Sequence, residues 1–250
     1  MVILKKLSKK VRAALISLVS LIGVVLVLCT VCLVFLLDCY KADTAAVEAF
    51  AKENDVEYVT KDNITVFETE GAECGFIFYP GAKVEHEAYI PLMKALAEKG
   101  ILCALVEMPL YFPLADADAA EKVLETYPDI SRWYIGGHSL GGYAASMYLE
   151  KEHEKYEGFV LLASYSGKDL SKTELDVITI YGSEDAIMNR ERYEEGLALL
   201  PETFQEMVIE GGCHAYFGMY EGQDRDLAVI TNKDQIKLTA DLIAGLIVSE

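Results

Sequence analysis

From residue 74 to the C-terminus, short apolar segments alternate with amphipathic ones, and this alternation limits the folds open to the chain. The apolar segments have the composition of strands, and the amphipathic ones have the spacing of helices. The predicted strands are 74–79, 101–108, 133–136, 158–165, 177–181 and 204–209, and the predicted helices are 86–99, 115–126, 143–151, 190–200 and 233–248. Strands that are apolar throughout belong to parallel sheets covered on both faces. The sequence therefore predicts an α/β domain with a doubly wound, mostly parallel sheet.

Two shorter features precede the alternating region. Segments 56–59 and 64–67 predict the strands of a hairpin, with turn-forming residues at 61–63. Residues 44–54 predict a short helix that is amphipathic through Val47 and Phe50, serving either as a stalk or as a helix packed on the domain edge. The expected organisation is a stalk or linker at 38–55 followed by the α/β domain at 56–250.

An uncharged segment of 25 residues, 13–37, lies near the N-terminus. Because about 20 helical residues cross a bilayer core, we expect a transmembrane helix. A cleavable signal peptide needs a shorter apolar region and a small-x-small site, and a lipoprotein needs a cysteine after small residues; neither pattern is present. Residues 1–12 hold five basic side chains and no acidic one. The positive-inside rule then predicts a single-pass membrane protein with this tail in the cytoplasm and the domain outside.

The net charge limits the classes of binding partner, and the positions of the cysteines indicate their expected environment. The formal net charge is −18 despite the basic tail, so the outer domain is strongly acidic. This argues against nucleic acid and anionic membrane surfaces as partners. Cys74 and Cys103 fall within predicted core strands, where buried thiols are expected. No cysteine or histidine spacing resembles a zinc site, and the oligomeric state is left open.

The sequence Gly-His-Ser-Leu-Gly, residues 137–141, lies between a predicted strand and a predicted helix. In this context a Gly-x-Ser-x-Gly motif forms a strained turn that exposes the serine hydroxyl and places it at a helix N-terminus. Ser139 is therefore the candidate nucleophile. The Leu140 amide, at the start of the helix, is the first candidate oxyanion donor.

A serine nucleophile requires a base, and the base requires an orienting acid. Of the four histidines, only His214 follows both the serine and the last predicted strand, in a turn that contains two glycines. Asp185 lies after the strand at 177–181, where the crevice of such a sheet opens. Its neighbour Glu184 is the alternative, but only one of two consecutive side chains can face the imidazole, and we favour Asp185.

The remaining candidates are less specific. The Tyr-Pro-Gly bend at 79–81 predicts that the amide of Ala82, or that of Gly81, is the second oxyanion donor. Tyr79, Met108, Tyr216 and Phe217 are candidate substrate-binding residues, together with the apolar stretch 109–113. These side chains could equally cap the end of the sheet.

The elbow, the Gly-Ser-Glu-Asp turn at 182–185 and the Gly-Gly-Cys-His turn at 211–214 resemble those of the α/β-hydrolase family, over roughly residue 64 to the C-terminus. More narrowly, the Tyr-Pro-Gly bend and the Gly-Gly-x-His-Ala-x-Phe-Gly segment, 211–218, resemble small membrane-anchored bacterial members. The resemblance implies a sheet of about eight strands and hydrolysis through an acyl-enzyme. Two features depart from many members: Tyr79-Pro80 replaces a His-Gly pair, and about a dozen residues after Tyr165 leave no room for a helical cap.

The expected function is that of a serine hydrolase, esterase- or lipase-like, cleaving a carboxylic ester, thioester or amide of a small acyl substrate. The chemistry of a Ser139–His214–Asp185 triad requires no metal or organic cofactor. Peptidase and acyltransferase activities are alternatives. A non-catalytic, membrane-tethered binding domain on a hydrolase scaffold is a further one, because a fold alone does not determine function.

Overall fold

The computed structural model describes residues 8–53, 56–221 and 226–248. The chain divides into two compact units, Met1–Asp38 and Cys39–Glu250. The first is described from Ser8 onward, so the tail residues Lys5 and Lys6 lie outside the described residues.

The first unit is a single helix, α1 (Lys9–Leu37). Ser8 begins it by accepting a hydrogen bond from the Val11 amide on its side chain, which satisfies one of the free amides of the first turn. Every side chain of α1 that the structure describes is exposed. Within the described residues, Lys9–Val34 is the one stretch long and apolar enough to cross a membrane, a criterion that a signal sequence also meets.

The second unit contains one sheet of eight strands. The strands are β1 (Val59–Lys61), β2 (Ile64–Phe67), β3 (Cys74–Tyr79), β4 (Leu102–Val106), β5 (Arg132–His138), β6 (Gly158–Leu162), β7 (Asp176–Gly182) and β8 (Gln205–Ile209). Their order is β1-β2-β4-β3-β5-β6-β7-β8. The contacts of β2 with β1 and β4 are antiparallel and all others are parallel. The predicted mostly parallel, doubly wound sheet is confirmed.

Helices pack against both faces of this sheet. They are α2 (Thr44–Ala51), α3 (Ile90–Ala97), α4 (Ala120–Thr126), α5 (Leu140–Glu152), α6 (Arg190–Leu197) and α7 (Asn232–Val248). Two hydrophobic clusters result, one on each face, because alternate side chains of β3, such as Phe78 and Ile77, point to opposite sides. Cys74 and Cys103 are both buried in the cluster that contains Phe78, as predicted.

Helix α2 shows which of its two predicted roles applies. Val47 and Phe50 are buried in the same cluster as the side chains of α3. The helix therefore packs on the domain, and the compact unit begins at Cys39 rather than at the predicted boundary of residue 56. Residues 54 and 55, at that boundary, lie outside the described part of the chain.

Several element ends differ from the predictions. The first hairpin strand is Val59–Lys61 instead of 56–59; it extends to Lys61, which pairs with Ile64, because the turn is only Asp62-Asn63, with Asp62 at a φ of 55°. Strand β6 ends at Leu162, before Ala163 turns at a φ of 44°. Helix α6 ends at Leu197, shortly before Pro201, which cannot continue a helix.

The predicted helix at 115–126 begins only at Ala120. Before it, Pro109–Tyr111 forms a turn with Leu110 and Tyr111 at φ values of 55° and 54°, and Pro113–Ala115 forms a short 3-10 turn. The segment between β6 and β7 contains no helix, in agreement with the predicted absence of a cap.

Candidate active site

Ser139 lies at the turn between β5 and α5. Its backbone has a φ of 52° and a ψ of −122°, in the positive-φ region that non-glycine residues rarely occupy. The turn is held from both sides: the Ser139 amide donates to the Leu162 carbonyl at 2.9 Å, and the Ser164 hydroxyl donates to the Ser139 carbonyl at 2.6 Å. This is the strained strand-to-helix turn that the sequence predicts.

Two glycines make the turn possible. A Cβ atom on Gly137 would lie 2.6 Å from the carbonyl oxygen of Tyr79 and from the carbonyl carbon of Gly141. A Cβ on Gly141 would overlap the carbonyl oxygens of Tyr79 and Pro80. The glycines therefore allow α5 to start directly against the end of β3, which is also where the Tyr-Pro-Gly bend begins.

His214 and Asp185 form a buried pair. Nδ1 of His214 lies 2.9 Å from Oδ2 of Asp185, and the two side chains are 3% and 0% exposed. The other carboxylate oxygen accepts the amides of Ile187 and Met188 at 2.9 and 2.8 Å. Burial alone would raise the pKa of Asp185, but the bond to His214 and the two amide bonds together lower it below its ordinary value. The carboxylate is thus held ionised against the imidazole.

Glu184, the alternative acid, is exposed, and its side chain accepts a hydrogen bond from the Ser183 hydroxyl at 3.0 Å. The structure therefore brings Asp185, and not Glu184, to the imidazole. Both follow β7, but the amide of Asp185 donates to the Gly182 carbonyl in a tight turn that directs its side chain inward.

Asp226 is a residue of this site that the sequence analysis missed. Its buried carboxylate accepts the amide of His214 at 2.8 Å on Oδ1 and the amide of Ala215 on Oδ2. It thereby fixes the backbone from which the imidazole projects. The sequence gives little signal for it, because the Asp lies 12 residues away in an acidic loop with no motif.

Of the two amides predicted as the second oxyanion donor, the structure excludes that of Gly81. Its amide donates to the hydroxyl of Tyr89 at 3.1 Å and is not available to a ligand. The Ala82 amide has no acceptor among the residues that the structure describes. The Leu140 amide, at the first position of α5, has no intrahelical acceptor either. Since Tyr79 pairs with Gly137, the bend after β3 and the elbow after β5 leave the same edge of the sheet side by side.

His138 fills the space beneath His214, with ring centroids 4.6 Å apart. Burial, together with the neighbouring His214, holds the pKa of His138 well below its ordinary value, so this ring is neutral. Its Nδ1 lies 2.8 Å from the Tyr89 hydroxyl, which also accepts the Gly81 amide. No role for His138 follows from the sequence, and in the structure its buried ring packs against the ring of the candidate base.

A cavity of about 200 Å³ opens in front of Ser139. Its walls are formed by the two side chains expected to react, by residues of the first turn of α5 and by residues of the segments after β6 and β7: Ser139, Leu140, Tyr143, Ala163, Ser164, Tyr165, Ile187, Met188, Asn189 and His214. The structure thus brings the predicted nucleophile and base to one cavity.

The four predicted substrate-binding residues are not among those that line this cavity. Tyr79 is fully buried, where its hydroxyl donates to the Ala117 carbonyl and accepts the Ala120 amide, both at 2.9 Å, and so sets the start of α4. Met108 is buried in the core, Phe217 packs on the His138 ring, and Tyr216 is half-buried beside that core. The prediction placed them by their distance along the chain from the strand ends, which does not determine side-chain direction.

In the described part of the chain, no cluster of three or more His, Cys, Asp or Glu side chains could hold a metal ion. Two histidines outside the site have local partners or partial exposure: His86 lies 3.1 Å from Glu87, and His153 is half-buried at the end of α5.

Residues 75–237 match the profile of the alpha/beta hydrolase family. The match covers more than half of the sequence, and the chain belongs to this family. No curated protein shows significant sequence similarity to it.

Solved structures share the fold. An esterase domain of a Rhodothermus marinus protein superimposes with a TM-score of 0.58 at 12% identity, over 76% of this chain and 97% of that one. A predicted CIB-like hydrolase from Thermoplasma acidophilum gives 0.55 at 15% identity, over 77% and 98%. A dienelactone hydrolase from Anabaena variabilis gives 0.55 at 16% identity, over 77% and 95%. At these identities the comparison establishes the fold, and the family membership supports hydrolase activity in general.

Proposed function

We propose that this protein is a serine hydrolase that cleaves a carboxylic ester, thioester or amide through an acyl-enzyme. Ser139 attacks the acyl carbon, and His214 takes the serine proton and then delivers it to the leaving group. Asp185 orients the imidazole and stabilises its charged form. A water molecule activated by His214 then hydrolyses the acyl-enzyme.

The observation that favours this proposal most is the buried contact of 2.9 Å between His214 and Asp185 beside a cavity that also contains Ser139. A carboxylate whose pKa is lowered supports an imidazolium as it forms, because water is excluded from the pair. A binding domain would not require a serine at a φ of 52° or a buried ionised carboxylate beside a histidine.

The proposed oxyanion donors are the Leu140 and Ala82 amides, which come from adjacent strand ends. Such donors typically lower the barrier by about 3 kcal/mol each, because they point at the oxygen on which charge develops. The N-terminus of α5 adds the positive end of its dipole at the same place.

The cavity also favours a class of substrate. A volume of about 200 Å³ with mostly apolar and aromatic walls suits a short acyl group. We therefore propose short-chain acyl esters or thioesters as better substrates than long-chain ones.

The test of the mechanism is substitution of the nucleophile. Ser139→Ala should abolish labelling by a fluorophosphonate probe and turnover of an acetyl or butyryl p-nitrophenyl ester. Ser131→Ala is the matched control, because Ser131 is exposed at the opposite end of the same strand. Labelling that persists in Ser139→Ala would refute the assignment.

The proposed location is the cell membrane, with α1 as a single-pass anchor and the hydrolase domain outside. The apolar length of α1 and the basic tail support this orientation. Protease added to intact cells should digest the domain, and the intact mass of the isolated protein should include the residues of α1. A domain protected until the cells are lysed would contradict the orientation, and a mass lacking the apolar segment would indicate a cleaved signal sequence.

A further inference from the structure

The residues that follow the apolar segment, 39–43, are bound to the end of the domain that contains the candidate site. We call them the connector. The Tyr40 amide donates to the Lys83 carbonyl at 2.6 Å, and the Glu85 amide donates to the Tyr40 carbonyl at 3.1 Å. These bonds attach the connector to the residues directly after Ala82.

The Glu85 carboxylate adds a second attachment. One oxygen accepts from Lys41 Nζ at 2.7 Å, and the other accepts the Ala42 amide at 2.9 Å. Burial would raise the pKa of Glu85, but these two bonds lower it, so the carboxylate stays charged. Both of its oxygens are thus occupied by connector donors.

The opposite side of the connector contacts the segment after His214. The Asp43 amide donates to the Met219 carbonyl at 2.9 Å, Ala42 pairs with Tyr220, and the Tyr40 ring lies 6.0 Å from the Tyr220 ring. The connector therefore lies between the bend that contains Ala82 and the turn that begins at His214. It is a common neighbour of two parts of the site that are far apart in the sequence.

Lys83 links this packing to the site. It has a φ of 60°, a conformation that is strained for a residue with a side chain. Its amide donates to the Tyr111 carbonyl at 2.7 Å, and its carbonyl accepts the Tyr40 amide. With both backbone groups bonded, Lys83 is held in the conformation that fixes where the preceding Ala82 lies. The connector therefore supplies one of the two backbone bonds that oppose relaxation of Lys83 toward an ordinary φ.

We infer that the connector positions the Ala82 amide for the reaction, and that Glu85 is the positioning residue that holds the connector in place. The inference rests on the proposed function, since it concerns the second oxyanion donor of that mechanism. It makes the rate of hydrolysis depend on residues 39–43, which lie outside the 75–237 match to the family.

The test uses the full chain in detergent and measures kcat and KM for a short-chain ester. Glu85→Ala removes both acceptors and should lower kcat about tenfold, with KM changed by less than about twofold, because an oxyanion contact acts in the transition state. Glu85→Gln keeps an acceptor for the Ala42 amide and should give an intermediate kcat. Glu152→Ala is the matched control: it breaks another 2.7 Å ion pair, with Lys155, at the far end of α5 and should leave kcat unchanged.

Lys41→Ala is a milder variant in case Glu85→Ala does not fold. Lys41 is exposed, and removing its 2.7 Å ion pair should lower kcat about two- to threefold without preventing folding. Wild-type kcat in folded Glu85→Ala or in Lys41→Ala, or an equal loss in Glu152→Ala, would overturn the inference. The two proposals fail differently: turnover that survives in Ser139→Ala refutes the proposed function, whereas turnover that depends on Ser139 but not on Glu85 refutes only the role of the connector.

Discussion

Replacing Asp226 with alanine tests how the base of the site is held. The side chain is buried and accepts two backbone amides, from His214 and Ala215. Alanine leaves both donors without a partner, and each buried unpaired amide costs about 1–3 kcal/mol. Removing the buried carboxyl group recovers part of this cost, so we expect a net loss of about 2–4 kcal/mol. For a domain of this size that corresponds to a melting temperature lower by roughly 4–16 °C.

The same change should also affect catalysis, because the backbone amide of His214 loses the Asp226 oxygen that accepts its hydrogen bond. We expect kcat to fall at least about tenfold at a temperature where the variant is folded, since small displacements of a catalytic group are costly. Thermal unfolding followed by near-UV circular dichroism, together with ester turnover, measures both effects. Asp129→Ala, at an exposed loop position, is the control. A variant that melts within about 2 °C of wild type, less than the shift expected from a loss of 1 kcal/mol, and that keeps its kcat would refute the reasoning.

Two further predictions concern the elbow and the acid. Gly141→Ala places a Cβ against the carbonyls of Tyr79 and Pro80, and it should reduce the free energy of unfolding by about 1–3 kcal/mol and abolish turnover. The control Gly245→Ala, in open space on α7, should raise the free energy of unfolding by up to about 1 kcal/mol. Equal urea midpoints for the two variants would contradict this prediction. Because the pKa of Asp185 is lower in the folded protein, its ionised carboxylate stabilises the fold. This stabilisation is fully present at pH values above the ordinary carboxyl pKa of about 4, and it is lost as the pH falls through the lowered pKa. The stability gap between wild type and Asp185→Asn should therefore narrow below about pH 4 in urea titrations, and a constant gap from pH 3 to 7 would count against it.

The sequence predicts the sheet well because parallel strands must be apolar on both faces, so the pattern of β3, β4 and β6 is unambiguous. It predicts element ends poorly, because these depend on tertiary contacts. The start of α4 is an example: it is set by the Tyr79 hydroxyl, which reaches across 41 residues to the Ala120 amide. The helix predicted from the sequence extends back to residue 115, because this distant contact leaves no signal in the segment itself.

The same distinction applies to the candidate site. Ser139, Asp185 and His214 could be proposed from the sequence because each follows a strand at the carboxyl edge of the sheet, and topology alone brings these ends together. The cavity walls could not be predicted in this way. Ile187, Met188 and Asn189 reach the cavity only because the Asp185 carboxylate bonds the amides of Ile187 and Met188 and turns the chain over the site.

The choice between the Gly81 and Ala82 amides shows what kind of information the sequence lacks. The two amides are adjacent, and the Pro-Gly bend permits either to point toward the serine. The hydroxyl of Tyr89 decides between them, because it accepts the Gly81 amide while lying 2.8 Å from Nδ1 of His138. His138 in turn is packed 4.6 Å from the ring of His214. One buried tyrosine thus links the bend after β3 to His138, so that the bend preceding the Ala82 amide and the ring of the proposed base are held by the same set of contacts.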